Sequence, residues 1–248
     1  MEIILQKGLP HQQKAIDAVC SVLEGVEITP ATQFYENPKI NISDPHIATN
    51  IKDLQADIPA EYRTSTPIMD YLNLDIKMET GTGKTYVYTK TIFELHKRYG
   101  INKFVIAVPS LAIKAGTAQF LMDDYARRHF EDSCGYGSEI EVGVLEASKK
   151  QKKGRSFFPS VVADFVRGSC QNTKKIYVLL LNMQFLTNAK VLSRDDYDFG
   201  VEGFYRPFDA LRATKPVVMI DEPHRFSRDQ SAFKAIVKEL KPQCIIRY

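Results

Sequence analysis

A glycine-rich turn between a strand-like segment and a helical segment constrains the fold of this chain more than any other feature. The turn covers residues 78–85 and follows a short segment of mixed polarity at 74–78. The helical pattern after it has aromatic or apolar residues at i, i+4, i+7 and i+11, namely Tyr88, Ile92, Leu95 and Tyr99. A glycine turn in this position predicts an α/β fold in which the turn lies beyond the carboxyl end of a strand.

Three further apolar segments have the composition of buried parallel strands. They cover residues 104–108, 177–181 and 217–220. Amphipathic helical patterns follow two of these strands, at 113–125 and at 233–240. Strands that alternate with helices of this length predict a doubly wound, mainly parallel sheet with helices on both faces.

Two segments lack the periodicity of helices or strands. Residues 28–67 are rich in proline, asparagine, aspartate and threonine, and residues 194–215 have a similar character. Both are longer than most connections in compact domains. We therefore predict a long irregular insertion at 28–67 and a loop at 194–215.

The bulk composition excludes several classes of protein. The chain has 248 residues, 44% hydrophobic and 25% charged, and its net charge of +3 is too small to indicate a polyanionic partner by itself. The four cysteines are far apart and predict neither a zinc site nor a disulfide framework. Signal-peptide and membrane-length apolar runs are both missing from the sequence. We predict a cytoplasmic protein.

The residue types in the turn predict phosphate binding. Gly81 and Gly83 allow the backbone to bend so that successive N–H groups point at an anion, and the helix that follows directs its positive end there. Lys84 supplies a cation for the β- and γ-phosphates of ATP, and the Thr85 hydroxyl is a ligand for Mg²⁺. Met78 replaces the first glycine of the strict pattern. A glycine turn that binds nothing is the alternative.

A pair of acidic residues ends the strand pattern at 217–220. Asp221 can hold Mg²⁺ through its water shell, and Glu222 can orient and deprotonate the water that attacks a γ-phosphate. Taken alone, the pair favours a solvated acidic turn after a strand. Together with the phosphate-binding turn, it predicts an enzyme that hydrolyses a nucleoside triphosphate.

These two motifs resemble motifs I and II of superfamily 2 helicases and translocases. The longer sequence segments around them resemble the Res subunit of type III restriction enzymes. A short segment at the start of the first helix resembles it as well. The matching residues are Asp75-Ile76-Lys77-Met78-Glu79-Thr80-Gly81-Thr82-Gly83-Lys84-Thr85, Asp221-Glu222-Pro223-His224-Arg225-Phe226 and Leu9-Pro10-His11-Gln12. The resemblance spans nearly the whole chain and implies a RecA-like, P-loop NTPase fold.

The resemblance implies a role for each matching residue. Gln12 would read the adenine edge, and ATP would be held by Thr80, Gly81, Thr82, Gly83, Lys84 and Thr85. Thr85 and Asp221 would bind Mg²⁺, and catalysis would involve Lys84, Asp221, Glu222 and His224. In this assignment Glu222 is the catalytic base, and His224 couples the site to a partner lobe.

The resemblance also implies partners beyond this sequence. Residues 1–248 correspond to a single N-terminal ATP-binding lobe, so motif III, the second RecA-like lobe with its arginine finger, and the nuclease domain are expected elsewhere. We therefore expect the chain alone to bind ATP and to hydrolyse it slowly. Double-stranded DNA and a modification subunit, the methyltransferase that reads the DNA sequence, are the implied partners.

Three segments are candidates for contact with DNA. Val108-Pro109-Ser110 matches motif Ia, and Leu181-Asn182-Met183-Gln184 lies near the next DNA-facing segment of the family. The basic run at 149–155 can contact phosphates or form a solvated loop.

Three other functions remain open at the level of sequence. The chain could be a lobe of another superfamily 2 helicase or of a type I restriction translocase. It could be a truncated module that binds nucleotide or DNA without useful turnover. A P-loop kinase for a small molecule is the third alternative, against which Glu222 and His224 argue.

Overall fold

The computed structural model describes residues 5–63, 70–146, 156–187, 190–226 and 230–248. Its helices are α1 Pro10–Ser21, α2 Pro45–Leu54, α3 Lys84–Tyr99, α4 Leu111–Met122, α5 Asp124–Arg128, α6 Ser160–Arg167, α7 Met183–Thr187, α8 Lys190–Ser193, α9 Pro207–Ala213 and α10 Ser231–Ala235. Its strands are β1 Ile28–Thr29, β2 Lys39–Ile40, β3 Leu72–Asp75, β4 Lys103–Val108, β5 Glu139–Val144, β6 Lys175–Asn182, β7 Val217–Ile220 and β8 Cys244–Arg247. Short 3₁₀ turns cover Ala60–Tyr62 and Pro223–Arg225, and π-helical turns cover His129–Ser133 and Ile236–Leu240.

A parallel sheet forms the centre of the described part of the chain. Six strands lie in the order β3-β8-β7-β4-β6-β5, and every neighbouring pair is parallel. Parallel strands need crossover connections, and the intervening helices supply them. The predicted α/β, RecA-like doubly wound fold is confirmed.

Alternate residues along the strands enter two separate hydrophobic cores. Phe104 and Ile106 of β4 face a core that includes residues of α1, α3 and α4. Val105 and Ala107 face the opposite core, together with residues of α6, α7, α9 and α10. Side chains of a strand alternate between the two faces of a sheet, so a strand covered by helices on both sides is apolar throughout.

The strands predicted at 104–108, 177–181 and 217–220 are present with small differences in their ends. The strand predicted at 74–78 lies earlier, at Leu72–Asp75. Ile76 makes the last ladder bond, from its N–H to the Arg247 carbonyl at 2.8 Å, and the residues after it lead to the glycine turn. Strand β5 was not predicted, because its sequence Glu-Ile-Glu-Val-Gly-Val is not a continuous apolar run and contains an interior glycine.

The insertion predicted as irregular at 28–67 is largely ordered. It contains the β1–β2 ribbon and helix α2, whose first turn is capped by the Asp44 side chain accepting from the His46 N–H. Asn37, with no exposed surface, anchors the segment to the sheet. Its Nδ2 donates to the carbonyls of Lys103 and Lys215 at 2.8 and 3.1 Å. Polar residues at turns and caps explain the missing periodicity.

The loop predicted at 194–215 also contains regular structure. Helix α9 covers Pro207–Ala213, with proline in its first turn and Phe208, Ala210 and Leu211 buried. The helix is too short for its apolar residues to show a clear period in the sequence. No helix within the described ranges combines the length and the apolar composition that a bilayer crossing needs.

Candidate nucleotide-binding site

The glycine turn joins the end of β3 to the start of α3 in a backbone conformation that requires glycine. Gly81 and Gly83 have φ of 83° and 85°, in the left-handed region. A Cβ on Gly83 would also lie 2.6 Å from Gln12 Nε2. Thr82 closes the turn, since its Oγ1 donates to the Glu79 carbonyl at 2.7 Å. The turn therefore keeps bare backbone at the start of α3, as phosphate binding needs.

The acidic pair lies two strands away across the sheet, beyond the end of β7. The Asp221 N–H still bonds the Ala107 carbonyl of β4 at 3.1 Å, so this residue continues the sheet. Glu222 leaves the sheet with φ 54° and ψ 62°. A non-glycine residue in this region costs roughly 1–2 kcal/mol, and such strain is concentrated at functional sites.

Lys84 and Glu222 bring the two motifs together. Lys84 Nζ lies 3.3 Å from Glu222 Oε1, and the two side chains are 13% and 24% exposed. The other carboxylate oxygen, Oε2, lies 3.3 Å from His224 Nδ1. Residues separated by 138 positions in the sequence therefore lie in contact at the carboxyl edge of the sheet.

Helix α1 is attached to the glycine turn by the side chain of Gln12. Its Nε2 donates to the Thr82 carbonyl at 3.0 Å, and His11 Nε2 lies 3.3 Å from the same oxygen. Because a carbonyl can only accept, this contact fixes the orientation of the amide. Gln12 Oε1 is buried and has no partner within the described residues. It is therefore an acceptor that still requires a donor.

Burial makes Asp221 a weaker acid than an exposed aspartate. Its pKa is raised above the ordinary value, chiefly because burial disfavours the carboxylate and also because Glu222 is negatively charged. The positive charge of Lys84 acts in the opposite direction. A carboxylate in such a position is stabilised by any cation that approaches it.

A comparison with protein families agrees with this geometry. The family model described as "Type III restriction enzyme, res subunit" matches residues 6–247. The chain belongs to this Res subunit family. Its fold of parallel sheet, glycine turn and acidic strand end is the one that the resemblance implied.

Three relatives of the Res family match the chain from end to end. The EcoP15I Res subunit of Escherichia coli is 42% identical over 98% of this chain and 25% of its own length. The EcoPI Res subunit of Escherichia phage P1 is 39% identical, with the same two coverages. The StyLTI Res subunit of Salmonella typhimurium is 39% identical over 100% of this chain and 22% of its own length. This chain thus spans about a quarter of each relative.

Two of the three segments predicted to face DNA lie side by side in this Res family chain. Val108 of β4 is in register with Asn182 of β6, so both segments leave the sheet at its carboxyl edge. Ser110 caps the start of α4, and its Oγ accepts from the Ile113 N–H at 3.3 Å. The third, the basic run at 149–155, lies outside the described residues.

Two contacts that support the site were not predicted from the sequence. Arg247 Nε at the end of β8 lies 2.5 Å from Asp75 Oδ1 at the end of β3. Because β8 lies between β3 and β7, this ion pair fixes the strand that separates the two motifs. The contact of His11 with the turn was also missed.

Replacing Asp221 by asparagine is expected to stabilise the nucleotide-free protein at neutral pH. The folded pKa lies above the ordinary value of 3.8, so the folded state binds this proton more tightly than the unfolded chain. The stability contributed by the group is fully present below pH 3.8 and is lost as the pH rises through the folded pKa. Thermal denaturation should therefore give Asp221→Asn the higher Tm at neutral pH and a vanishing difference in acid.

The exposed Asp53 provides the matched control. Asp53→Asn should leave the Tm nearly unchanged at either pH, because a surface substitution away from a special contact has little effect. A wild-type protein that is more stable than Asp221→Asn at neutral pH would contradict the electrostatic account of this carboxylate.

Proposed function

We propose that this chain is the ATP-binding motor lobe of a type III restriction Res subunit. In this proposal, hydrolysis of ATP drives translocation or switching on duplex DNA before the DNA is cut. The observation that carries the proposal is the 3.3 Å contact between Lys84 and Glu222. It brings the glycine turn and the acidic pair together at the carboxyl edge of the sheet, which is the arrangement that phosphoryl transfer to water needs.

The described residues fit both the triphosphate and the adenine of ATP. Gly81 and Gly83 keep the start of α3 free of side chains, and Lys84 supplies the cation for the β- and γ-phosphates. Gln12 Oε1, buried and without a partner among the described residues, is suited to accept a hydrogen bond from the 6-amino group of adenine. Thr80 and Thr82 complete the turn around the triphosphate.

Thr85 and Asp221 are the residues that we propose for holding Mg²⁺. The described residues contain no group of three His, Cys, Asp or Glu side chains that could hold a metal. The Thr85 hydroxyl and the Asp221 carboxylate are oxygen ligands, which suit Mg²⁺, and this ion takes its other ligands from water and phosphate oxygens. When bound, Mg²⁺ neutralises charge that develops on the phosphates. The raised pKa of Asp221 means that its carboxylate gains from a cation.

Glu222 is the residue that we propose as general base. Its carboxylate is polarised on one oxygen by Lys84 and lies beside His224 on the other. This arrangement directs the carboxylate toward the phosphate-binding turn, where it would orient a water and accept its proton. His224 is 65% exposed, so it can also contact a second lobe that closes over the nucleotide.

The partners proposed for the whole protein follow from its relatives. These are named Res subunits of type III restriction-modification enzymes, and the chain spans about a quarter of them. We infer that residues 1–248 are one lobe and that a second RecA-like lobe, a modification subunit and duplex DNA complete the assembly. The carboxyl-edge segments at Ser110 and Asn182 are the surface that we propose for the DNA.

Binding of MgATP to the chain, measured by calorimetry, tests the proposed function. Lys84→Ala is expected to weaken binding by about 10- to 100-fold, because it removes a charge-assisted hydrogen bond to phosphate. Lys97→Ala is the matched control, since this lysine lies on the same helix beside the Tyr136 ring. Its affinity should equal that of the wild type.

Two results would contradict the proposal. Undetectable MgATP binding by the wild-type chain would contradict it, because the proposal requires that the chain binds ATP. Equal affinity of Lys84→Ala and wild type would mean that ATP binds elsewhere.

A further inference from the structure

An open cavity of about 370 Å³ lies between helices α3, α4 and α5 and the start of strand β5. Cavities of roughly 300–1,000 Å³ are the size of small-molecule sites, whereas voids in a packed interior are seldom larger than a water molecule. The cavity shares no lining residue with the proposed nucleotide-binding site. It is therefore a second place where this chain can take up a ligand.

Four aromatic rings line the interior of this cavity, those of Phe93, Phe120, Phe130 and Tyr136. Phe93 stacks on Tyr136 with ring centroids 4.7 Å apart and an interplanar angle of 11°. Phe130 lies 5.1 Å from Phe93 and 6.4 Å from Phe120. Phe93, Phe130 and Tyr136 are at most 4% exposed, so the surrounding core holds their rings in place. Because aromatic rings pair with other planar rings in stacked or edge-to-face arrangements, these walls favour a planar aromatic ligand.

The polar groups of the interior are already hydrogen-bonded. Tyr136 Oη donates to Glu94 Oε1 at 2.5 Å, and Thr89 Oγ1 donates to the Thr85 carbonyl at 2.7 Å. Among the described residues, no buried polar side-chain atom that lines the cavity lacks a partner. A ligand therefore gains nothing from polar groups deep in the cavity and would leave them without partners.

Charged side chains at the mouth of the cavity are balanced in sign. Arg127 Nη2 lies 3.2 Å from Glu139 Oε2, and Lys175 Nζ lies 2.9 Å from Glu141 Oε2. The two other charged residues at the mouth are one acid and one base, Glu131 and Lys174. A ligand with a net charge would meet attraction and repulsion together, so the mouth favours an uncharged one.

We propose that this cavity binds an uncharged, planar aromatic compound of two or three rings. The size follows from the volume, because an apolar cavity of about 150 Å³ is large enough for benzene. The planar shape follows from the four rings, and the lack of charge follows from the hydrogen-bonded interior and the balanced mouth. This binding site goes beyond the proposed function, since it does not involve ATP or DNA.

Calorimetry with naphthol tests the proposal, because this two-ring compound is planar and is uncharged at neutral pH. Naphthol is expected to bind saturably to the wild-type chain, with one site per chain. Excess MgATP should leave the Kd of naphthol unchanged, because the proposed nucleotide-binding site lies elsewhere.

Two related compounds test the chemical class of the ligand. Decahydronaphthol has the same carbon skeleton without aromatic rings, and it should bind about tenfold more weakly because it cannot make ring–ring contacts. Naphthalenesulfonate keeps the rings and adds a negative charge, and it should also bind more weakly than naphthol.

Ala126→Trp is designed to fill the cavity from its own wall. Ala126 lines the cavity in α5 and is 3% exposed. The sequence contains no tryptophan, so the emission of the introduced indole reports its own surroundings. A blue-shifted emission places the indole in the cavity. The Kd of naphthol should then rise at least about tenfold, because two ring systems compete for one space.

Ala115→Trp is the matched control for this substitution. Ala115 is exposed on α4 and does not line the cavity. Its indole should emit as an exposed one, and the variant should bind naphthol with the wild-type Kd.

Phe120→Leu removes one aromatic wall and keeps the side chain apolar. Phe120 is only partly buried, and the variant should raise the Kd of naphthol by about three- to tenfold. Phe157→Leu is its control, because Phe157 is 55% exposed and lies outside the cavity. Phe120→Leu decides the question if Ala126→Trp fails to fold or emits as an exposed indole.

Four results would overturn the inference. These are no saturable binding of naphthol, displacement of naphthol by MgATP, equal or tighter binding of either related compound, and a wild-type Kd in Phe120→Leu. None of them contradicts the proposed function, which depends on the binding of MgATP and on Lys84.

Discussion

Glu222→Gln is expected to lower the rate of ATP hydrolysis by about 10²–10⁴-fold, the usual contribution of a general base. The change replaces a proton acceptor by an amide of the same shape and leaves the left-handed backbone at this position undisturbed. It also removes the negative charge that Lys84 contacts at 3.3 Å, which leaves the ammonium group available to phosphate. MgATP affinity should therefore be maintained or increased while turnover is lost. Single-turnover hydrolysis of radiolabelled ATP measures the ratio of the wild-type rate to the variant rate, even if the wild-type rate is low.

Glu202→Gln is the control for this substitution. Glu202 is another glutamate with a left-handed backbone, φ 51°, but it lies outside both motifs and is paired with Arg167. The Glu202→Gln variant should hydrolyse ATP at the wild-type rate. A Glu222→Gln variant that hydrolyses ATP at the wild-type rate would exclude this residue as the base. Loss of MgATP binding together with turnover would instead indicate a role in holding the nucleotide.

Asn37→Ala is expected to lower the free energy of unfolding by about 3–5 kcal/mol, because it leaves several buried groups without partners. Asn37 Oδ1 accepts from the N–H groups of Asn102 and Lys103, both at 2.8 Å. Its Nδ2 donates to two carbonyls at the amino ends of β4 and β7. Chemical denaturation measures the loss directly, and the Tm should fall by ~2–4 °C for each kcal/mol in a chain of this size.

Two further variants separate hydrogen bonding from packing at this position. Asn37→Asp has the same shape but directs an acceptor at the carbonyls of Lys103 and Lys215, so it should destabilise the fold at least as much as Asn37→Ala. Asn41→Ala removes a side-chain contact on the surface of the same segment, with Glu27 at 3.2 Å, and should have a small effect. If Asn37→Asp were as stable as the wild type, the anchoring role of Asn37 would be wrong.

The parts of the site that could be predicted from the sequence are those whose chemistry is local. The glycine turn requires left-handed backbone within a few residues, and the acidic pair follows an apolar run directly. Both signals are visible without knowledge of the fold. The placement of Lys84 beside Glu222 followed from a general rule, that the carboxyl ends of parallel strands share one edge of the sheet.

The parts that could not be predicted depend on contacts between distant segments. Helix α2 and the β1–β2 ribbon are short and polar, and they are ordered by Asn37 and by Gln243, whose Oε1 accepts from the Ile40 N–H at 2.8 Å. The orientation of the Gln12 amide depends on a carbonyl 70 positions away. Tyr88 belonged to a correct apolar pattern, but periodicity contains no information on where a buried hydroxyl finds its partner, here on α4.

The backbone of Glu222 also limits which residues this position can tolerate. Glycine, asparagine and aspartate adopt positive φ readily, whereas β-branched residues rarely do. Aspartate would adopt the positive φ and keep the charge. Its side chain is one methylene shorter than that of glutamate, so its carboxylate would not reach the Lys84 ammonium. The residue at this position must therefore adopt positive φ and also have a side chain long enough to reach Lys84, and few amino acids meet both requirements.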